Sequence, residues 1–447
     1  MDFIKYANNV KQEMINDLCE LLKIDTVLVE QPEVKEAPFG YNMVKALNYM
    51  LDLGKKMGFN VKNIDNVCGH IEYGEGDEII GVLAHLDVVP TGDGWMYPPF
   101  EPTIVGDKIY ARGALDDKGA CIASLYALKA LKDNNIKLNK KVRLILGTDE
   151  ETGSRGIKRY LEVEKMPDLG FSPDADYPII YGEKGILSFN IISENINKEI
   201  ISFKSGDRYN VVPELASVKL LNNYDEQYKL FLQKNNYKGE IKNNEYIMYG
   251  KRAHAMEPLN GENAMLRLIE FLDTILKDDL VHFMNNNFKC SRLKQMNENF
   301  TDPEMGDLTS NVALMHIENN KGFIGINFRY PINWKKEQFF EKLTSLTKQN
   351  NLSYVLLNDS NPHYVSKEDD LVKTLHKSYI KYTGDNKTPL LTIGGGTYAR
   401  SMKRAVAFGP MMPGREDVVH QINEYAHISD LLISIAIFAD AIKELGK

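Results

Sequence analysis

Cysteine is scarce in this chain of 447 residues, and its four cysteines, Cys19, Cys68, Cys121 and Cys290, form no CxxC pair. That scatter argues against a thiolate metal site and fits a reducing compartment. Blocks of Lys or Arg are absent too, and the formal net charge is −8. Phosphate binding depends on clustered cations, so no nucleic-acid partner is expected. Long apolar runs are also missing. The longest, 431–439, is interrupted by Ser434 and closed by Asp440, well short of the ~20 residues that span a bilayer, so no membrane partner is expected. The opening Met1-Asp2-Phe3-Ile4-Lys5 has no basic segment followed by an apolar core, and no secretory signal is read there. A soluble protein of the cytoplasm is the expectation.

A hydrophobic fraction of 43% and a charged fraction of 26% describe an ordinary globular chain. Its length allows two or three domains at roughly 150 residues each. The first part alternates short apolar runs (79–84, 142–146) with helical patterns (119–131, 154–163). Such βαβ alternation predicts a mainly parallel sheet with helices on both faces. The middle differs: strand-like segments at 186–192, 216–221 and 312–317 are joined by stretches rich in Asn and Lys, with a helical pattern at 262–276. The end returns to the first style, with a helix at 370–382, the turn Gly394-Gly395-Gly396 and a last helix at 429–445. The expected fold class is therefore α/β, one domain built from 1–185 and 362–447, with an α+β domain inserted at 186–361.

Five short segments concentrate acids and histidines where strands end or turns begin, which is where ligands bind in open α/β sheets. In His85-Leu86-Asp87 the two polar side chains point the same way if the segment is extended, and Asp87 can orient His85 or a neighbour. Asp116-Asp117 precedes a helix, where acids also serve as caps. Asp149-Glu150-Glu151 follows a strand, and three adjacent acids repel unless cations neutralise them. In such a group one carboxylate can bind metal while its neighbour acts as a general base. Asp174 and Asp176 lie between prolines, and His420 precedes the last helix. Nitrogen and oxygen donors of this kind suit Zn²⁺, Mn²⁺ or Co²⁺.

In this order, HLDVVP (85–90), GWMYPPF (94–100), RGALDDKG (112–119), TDEETGS (148–154), SPDADYP (172–178) and HQINE (420–424) resemble the M20 metallopeptidase family, nearest its PepV-like group of Xaa-His and related dipeptidases. The likeness runs from the first helix to the last. It implies a zinc-peptidase catalytic domain with a ferredoxin-like lid and two divalent metal ions per chain, zinc first, with manganese or cobalt as alternatives. Asp116 would bridge the ions, His85 and Asp174 would complete one ion's ligands, and Glu151 and His420 the other's. Glu150 would be the general base on the water between them, with Asp87 behind the site. The bond between Asp116 and Asp117 is often cis in this family. From the insert, His254 would stabilise the oxyanion, Asn210 would reach the substrate and Arg329 would bind its carboxylate; Gly395, Gly396 and Thr397 would add contacts from the catalytic domain. The implied activity is hydrolysis of a small peptide substrate, a dipeptide, by a monomer. An N-acyl amino acid deacylase shares the same metal centre and is the alternative. One departure stands out: Met256-Glu257-Pro258 follows His254 where the family usually has small residues.

Overall fold

The computed structural model describes residues 2–447. Ile79–His85 is buried at every position, as an unbroken apolar run requires of a strand covered on both faces. It pairs in parallel with Lys141–Gly147 on one side and Leu169–Ser172 on the other. Ala405–Ala407, from far along the chain, extends the parallel set beyond Leu169–Ser172. These four strands form the middle of a nine-stranded sheet. The flanks run antiparallel: Cys68–Tyr73 lies against Lys141–Gly147 with Asn60–Ile64 outside it, and Ile180 meets Ala407. The hairpin 60–73 escapes a reading based on apolar runs because its outer strand is mostly polar and exposed.

Two helices are buried along nearly their whole length and pack on each other, Lys118–Asp133 and Ile428–Leu445. Gly119 permits the tight entry into the first. A Cβ there would lie 2.1 Å from the Ala114 carbonyl oxygen, so the turn that carries Asp116 can fold down onto the helix.

The chain forms two compact units. The first holds the residues up to Gly182, Tyr364–Leu391 and Gly396–Lys447; the second holds Glu183–His363 and Thr392–Gly395. The sequence reading keeps the whole Gly-rich turn with the first. In the structure the Lys184 N–H donates to the Ile393 carbonyl at 2.9 Å and the Arg329 guanidinium to the Gly394 carbonyl at 2.8 Å. Those bonds draw 392–395 into the second unit and part Gly395 from Gly396 and Thr397.

The second unit is α+β, built on an eight-stranded sheet whose pairs are all antiparallel. Two of its hairpins turn on asparagine pairs. Asn243-Asn244 has φ of 51° and 62°, and Asn319-Asn320 has 54° and 60°. Left-handed backbone at both central residues matches the twist of the flanking strands, and Asn tolerates it. The Asn-rich stretches that read as connections are thus hairpin turns. A short ribbon pairs Val211–Val212 with Ala253–His254. Among the described residues no helix is long and apolar enough to cross a membrane.

Candidate metal centre

His85 ends the strand Ile79–His85, Glu150 and Glu151 follow Lys141–Gly147, and Asp174 follows Leu169–Ser172. Parallel strands present their carboxyl ends at one edge, so segments distant in sequence deliver side chains to one place. Asp116 comes from the turn before Lys118–Asp133, and its peptide bond to Asp117 is cis. His420 arrives from the loop before Tyr425–His427, with a left-handed φ of 61°.

The five predicted ligands close into two triads that share Asp116: His85, Asp116 and Asp174, and Asp116, Glu151 and His420. His85 Nε2 stands 3.0 Å from Asp116 Oδ1 and 3.6 Å from Asp174 Oδ2. His420 Nε2 stands 3.1 Å from Asp116 Oδ2 and 3.0 Å from Glu151 Oε1. His85 is buried, whereas His420 is half exposed. The Asp87 backbone carbonyl lies 3.0 Å from His85 Nδ1, and the Asp87 carboxylate accepts the Glu151 N–H at 3.0 Å. Asp87 therefore steadies one member of each triad.

So many acids in a buried space cannot all stay ionised alone. Burial, reinforced by Asp116, pushes Glu151 up to about 7 and Asp174 up to about 6. Burial also raises Glu150 well above the carboxylate range; Asp174 and Glu151 add to it and His85 opposes. For His420 burial works the other way, yet Asp116 and Glu151 raise it to about 11. Asp116 Oδ1 is buried without a hydrogen bond. Two imidazoles and three carboxylates, crowded to the point of holding protons, form a donor set that fits divalent cations such as zinc or manganese.

The remaining predicted residues lie elsewhere in the chain. His254 pairs with Val211 across the short ribbon, and the Ala255 N–H donates to the Asn210 carbonyl at 2.8 Å. The two residues thus share one small element. The Met256 N–H donates to His254 Nδ1 at 3.2 Å, which leaves the neutral ring's proton on Nε2. Arg329 is buried, held by Asn327 Oδ1 at 2.9 Å as well as by Gly394. The Thr397 hydroxyl accepts the Ala399 N–H at 3.1 Å, which makes it a helix cap.

Sequence reasoning missed three supports. Glu424, fully buried, accepts from Arg112 Nη1 at 2.7 Å and from the backbone N–H groups of Gly113, Leu115 and Asp116 at 3.0, 2.9 and 3.2 Å. It ties the Asp116 turn to the His420 loop. Asp117 accepts the His85 N–H at 3.0 Å. Asn311 donates to the carbonyls of Tyr209 and Val211 at 3.1 and 2.8 Å, bracketing Asn210. The only signal for Glu424 was its place in the HQINE segment.

A model of peptidase family M20/M25/M40 matches residues 81–444, a span that holds every predicted ligand and Glu150. The chain belongs to that family. This M20 peptidase is 44% identical over 457 aligned residues to YtjP of Bacillus subtilis (strain 168), which carries the provisional name of dipeptidase; the match covers 98% of each chain. Its fold is that of human carnosine dipeptidase 1, with a TM-score of 0.61 at 15% identity over 99% of this chain and 98% of that one. It is likewise that of the di-peptidase Dug1p from Saccharomyces cerevisiae, with a TM-score of 0.61 at 14% identity over 99% and 97%.

Proposed function

We propose that this M20 peptidase is a metal-dependent dipeptidase of the cytoplasm, acting as a monomer at the two triads joined by Asp116. The observation that carries the reading is the shared carboxylate, whose two oxygens face His85 and His420 at 3.0 and 3.1 Å. Kinship with a relative named as a dipeptidase supports the substrate class, and four unpaired thiols suit a reducing compartment. Two divalent cations held by His85, Asp116, Asp174, Glu151 and His420, zinc first and manganese or cobalt as alternatives, would polarise the scissile carbonyl and acidify the attacking water.

The chain's own groups do the rest. Glu150, its proton affinity raised by burial, takes the proton from the attacking water and passes it to the leaving amine. His254 donates Nε2–H to the oxygen that turns negative in the tetrahedral intermediate. Asn210 and the backbone at Gly395, Gly396 and Thr397 position the substrate. Arg329 binds the substrate's carboxylate. A dipeptide offers that charge one residue past the scissile bond, where a longer peptide offers a neutral amide.

The test is chelator-stripped protein, reloaded with Zn²⁺, Mn²⁺ or Co²⁺ and assayed on dipeptides, tripeptides and N-acyl amino acids. Metal-restored cleavage confined to dipeptides supports the reading. Cleavage of N-acyl amino acids in their place overturns the substrate class, and no turnover with any ion overturns the enzymatic reading. Glu150→Gln is expected to bind the same ions while kcat falls about 10³-fold, within the usual range for a general base. Turnover like the wild type's would remove Glu150 from that role.

A further inference from the structure

Gly147 ends the strand Lys141–Gly147 and is the direct partner of His85 across the parallel ladder. A Cβ at Gly147 would lie 2.4–2.7 Å from the ring and hydroxyl of Tyr398, so the absent side chain makes the room that this phenol fills. Tyr398 comes from far along the chain, on the short helical turn Tyr398–Ser401 that Thr397 caps. It is 2% exposed, and it belongs to the first unit with His85, Gly147 and Thr148. Its ring meets the His85 imidazole at 81°, with 6.1 Å between centroids, inside the range of edge-to-face aromatic pairs. Its hydroxyl donates to the Thr148 carbonyl at 3.3 Å. Thr148 opens the turn that carries Glu150 and Glu151, so one side chain touches the ends of both strands.

The other holds on His85 act elsewhere. Asp117 accepts its backbone N–H at 3.0 Å, the Cys121 thiol lies 3.1 Å from its carbonyl oxygen, and the Asp87 carbonyl stands 3.0 Å from Nδ1. These fix the backbone and one ring nitrogen, whereas Tyr398 packs against the imidazole itself. The turn's start is anchored too: the Thr148 hydroxyl donates to the Val67 carbonyl, and the Asp149 carboxylate takes Arg155 Nε at 2.6 Å. We propose that Tyr398 is a positioning residue of the metal centre, a strut that orients the His85 imidazole with its ring and the Glu150–Glu151 turn with its hydroxyl. The inference rests on the roles given to His85, Glu150 and Glu151, and not on the substrate class. The ring limits rotation of the imidazole, whose Nε2 must face Asp116 and Asp174 for the three to share an ion. The hydroxyl fixes the start of the turn on which the base stands two residues further on. Misplacing a reacting group by an ångström costs up to about 10²-fold in rate, and losing the support behind a metal ligand costs about 10–100-fold in affinity. A buried phenol that only filled space would add to stability and leave both quantities alone.

Zn²⁺ affinity is measured against a competing chelator, and kcat and KM on metal-saturated protein with whichever dipeptide or N-acyl amino acid the wild type cleaves. Tyr398→Phe keeps the ring, and Glu151 keeps its own hold on Asp87. That variant is expected to bind Zn²⁺ as the wild type does, while kcat falls about tenfold and KM holds. Tyr398→Leu should weaken Zn²⁺ binding about tenfold or more. Gly147→Ala, whose methyl displaces the ring, should weaken it likewise, and the two changes combined should cost less than their sum. An unchanged kcat in Tyr398→Phe, or an unchanged Zn²⁺ affinity in Tyr398→Leu, with only the urea midpoint lowered, shows packing alone and overturns the assignment. Should Tyr398→Leu fail to fold, Gly147→Ala decides in its place by the same criterion. A wild type that cleaves neither class overturns the enzymatic reading instead, and the Zn²⁺ titrations still decide whether the ring orients His85.

Discussion

The two oxygens of Glu424 take up four donors, three of them backbone N–H groups of the turn that ends in Asp116. A glutamine there keeps one oxygen and turns an NH₂ towards donors, leaving buried Arg112 without its counter-charge. Breaking a buried pair by removing one partner's charge costs about 3–5 kcal/mol. Supports behind metal ligands are worth about 10–100-fold in metal affinity. Glu424→Gln is therefore expected to lose about 3 kcal/mol in a denaturant titration and to bind Zn²⁺ at least tenfold more weakly against a competing chelator. Unchanged values for both would show that the turn holds its shape unaided. At this scale the sequence is legible only in part. His85, Asp116, Glu150, Glu151, Asp174 and His420 could be named because metal and proton chemistry demand their residue types. Glu424 and Asn311 could not, because the same letters serve caps and solvated loops throughout the chain. Only the tertiary fold shows which of them are buried and what they hold.

Between residue and domain, the edge of the first unit's sheet offers a titration remote from the metal centre. His70, on the strand Cys68–Tyr73, is buried against the helix Arg155–Val163, its Nδ1 2.9 Å from the Tyr160 hydroxyl. Arg143 Nη1 donates to that same hydroxyl at 3.3 Å, which places a fixed positive charge close to the ring. Burial, with Arg143 assisting, lowers the His70 pKa to about 4. Between that value and the ordinary 6.5, the unfolded chain binds a proton that folded His70 refuses. Stability from this group is complete above pH 6.5 and is lost as pH falls towards 4, up to about 3 kcal/mol. His70→Asn keeps an acceptor for Tyr160 but does not titrate. Urea midpoints measured from pH 4 to 7 should fall less steeply for that variant, and parallel curves would exclude His70 as the source. The same strand shows where reading elements from sequence stops. Ile79–His85 and Lys141–Gly147 announce themselves as apolar runs because both faces are covered. Cys68–Tyr73 and Asn60–Ile64 carry His, Glu, Lys and Asn, and pair only because the parallel centre gives them an edge to join. In the second unit the strands flanking Asn243-Asn244 are similarly masked, and the left-handed asparagines that fold them back look like ordinary loop residues.

At the scale of the whole molecule, both metal triads belong to the first unit, yet each unit has its own hydrophobic core. A cation that binds only folded protein stabilises the part that holds it by RT ln(1 + [L]/Kd), about 2.7 kcal/mol at a hundred times Kd. The chain's two tryptophans separate the parts cleanly. Trp95 lies in the first unit, its indole N–H on the Thr91 carbonyl at 2.7 Å and the Arg112 guanidinium 5.1 Å over its ring. Trp334 lies in the second, packed among Phe328, Tyr330 and Phe339. A Trp334→Phe chain thus reports on the first unit, through a ring that touches the Arg112–Glu424 clamp, and a Trp95→Phe chain reports on the second. Urea unfolding followed by fluorescence, with and without saturating Zn²⁺, should move the Trp95 transition to higher urea by the linkage amount and leave the Trp334 transition in place. If both transitions rise together, the two cores unfold as one cooperative system and the ions stabilise the whole chain. If neither moves, the triads around Asp116 do not hold cations in solution, and the metal-dependent reading falls with them.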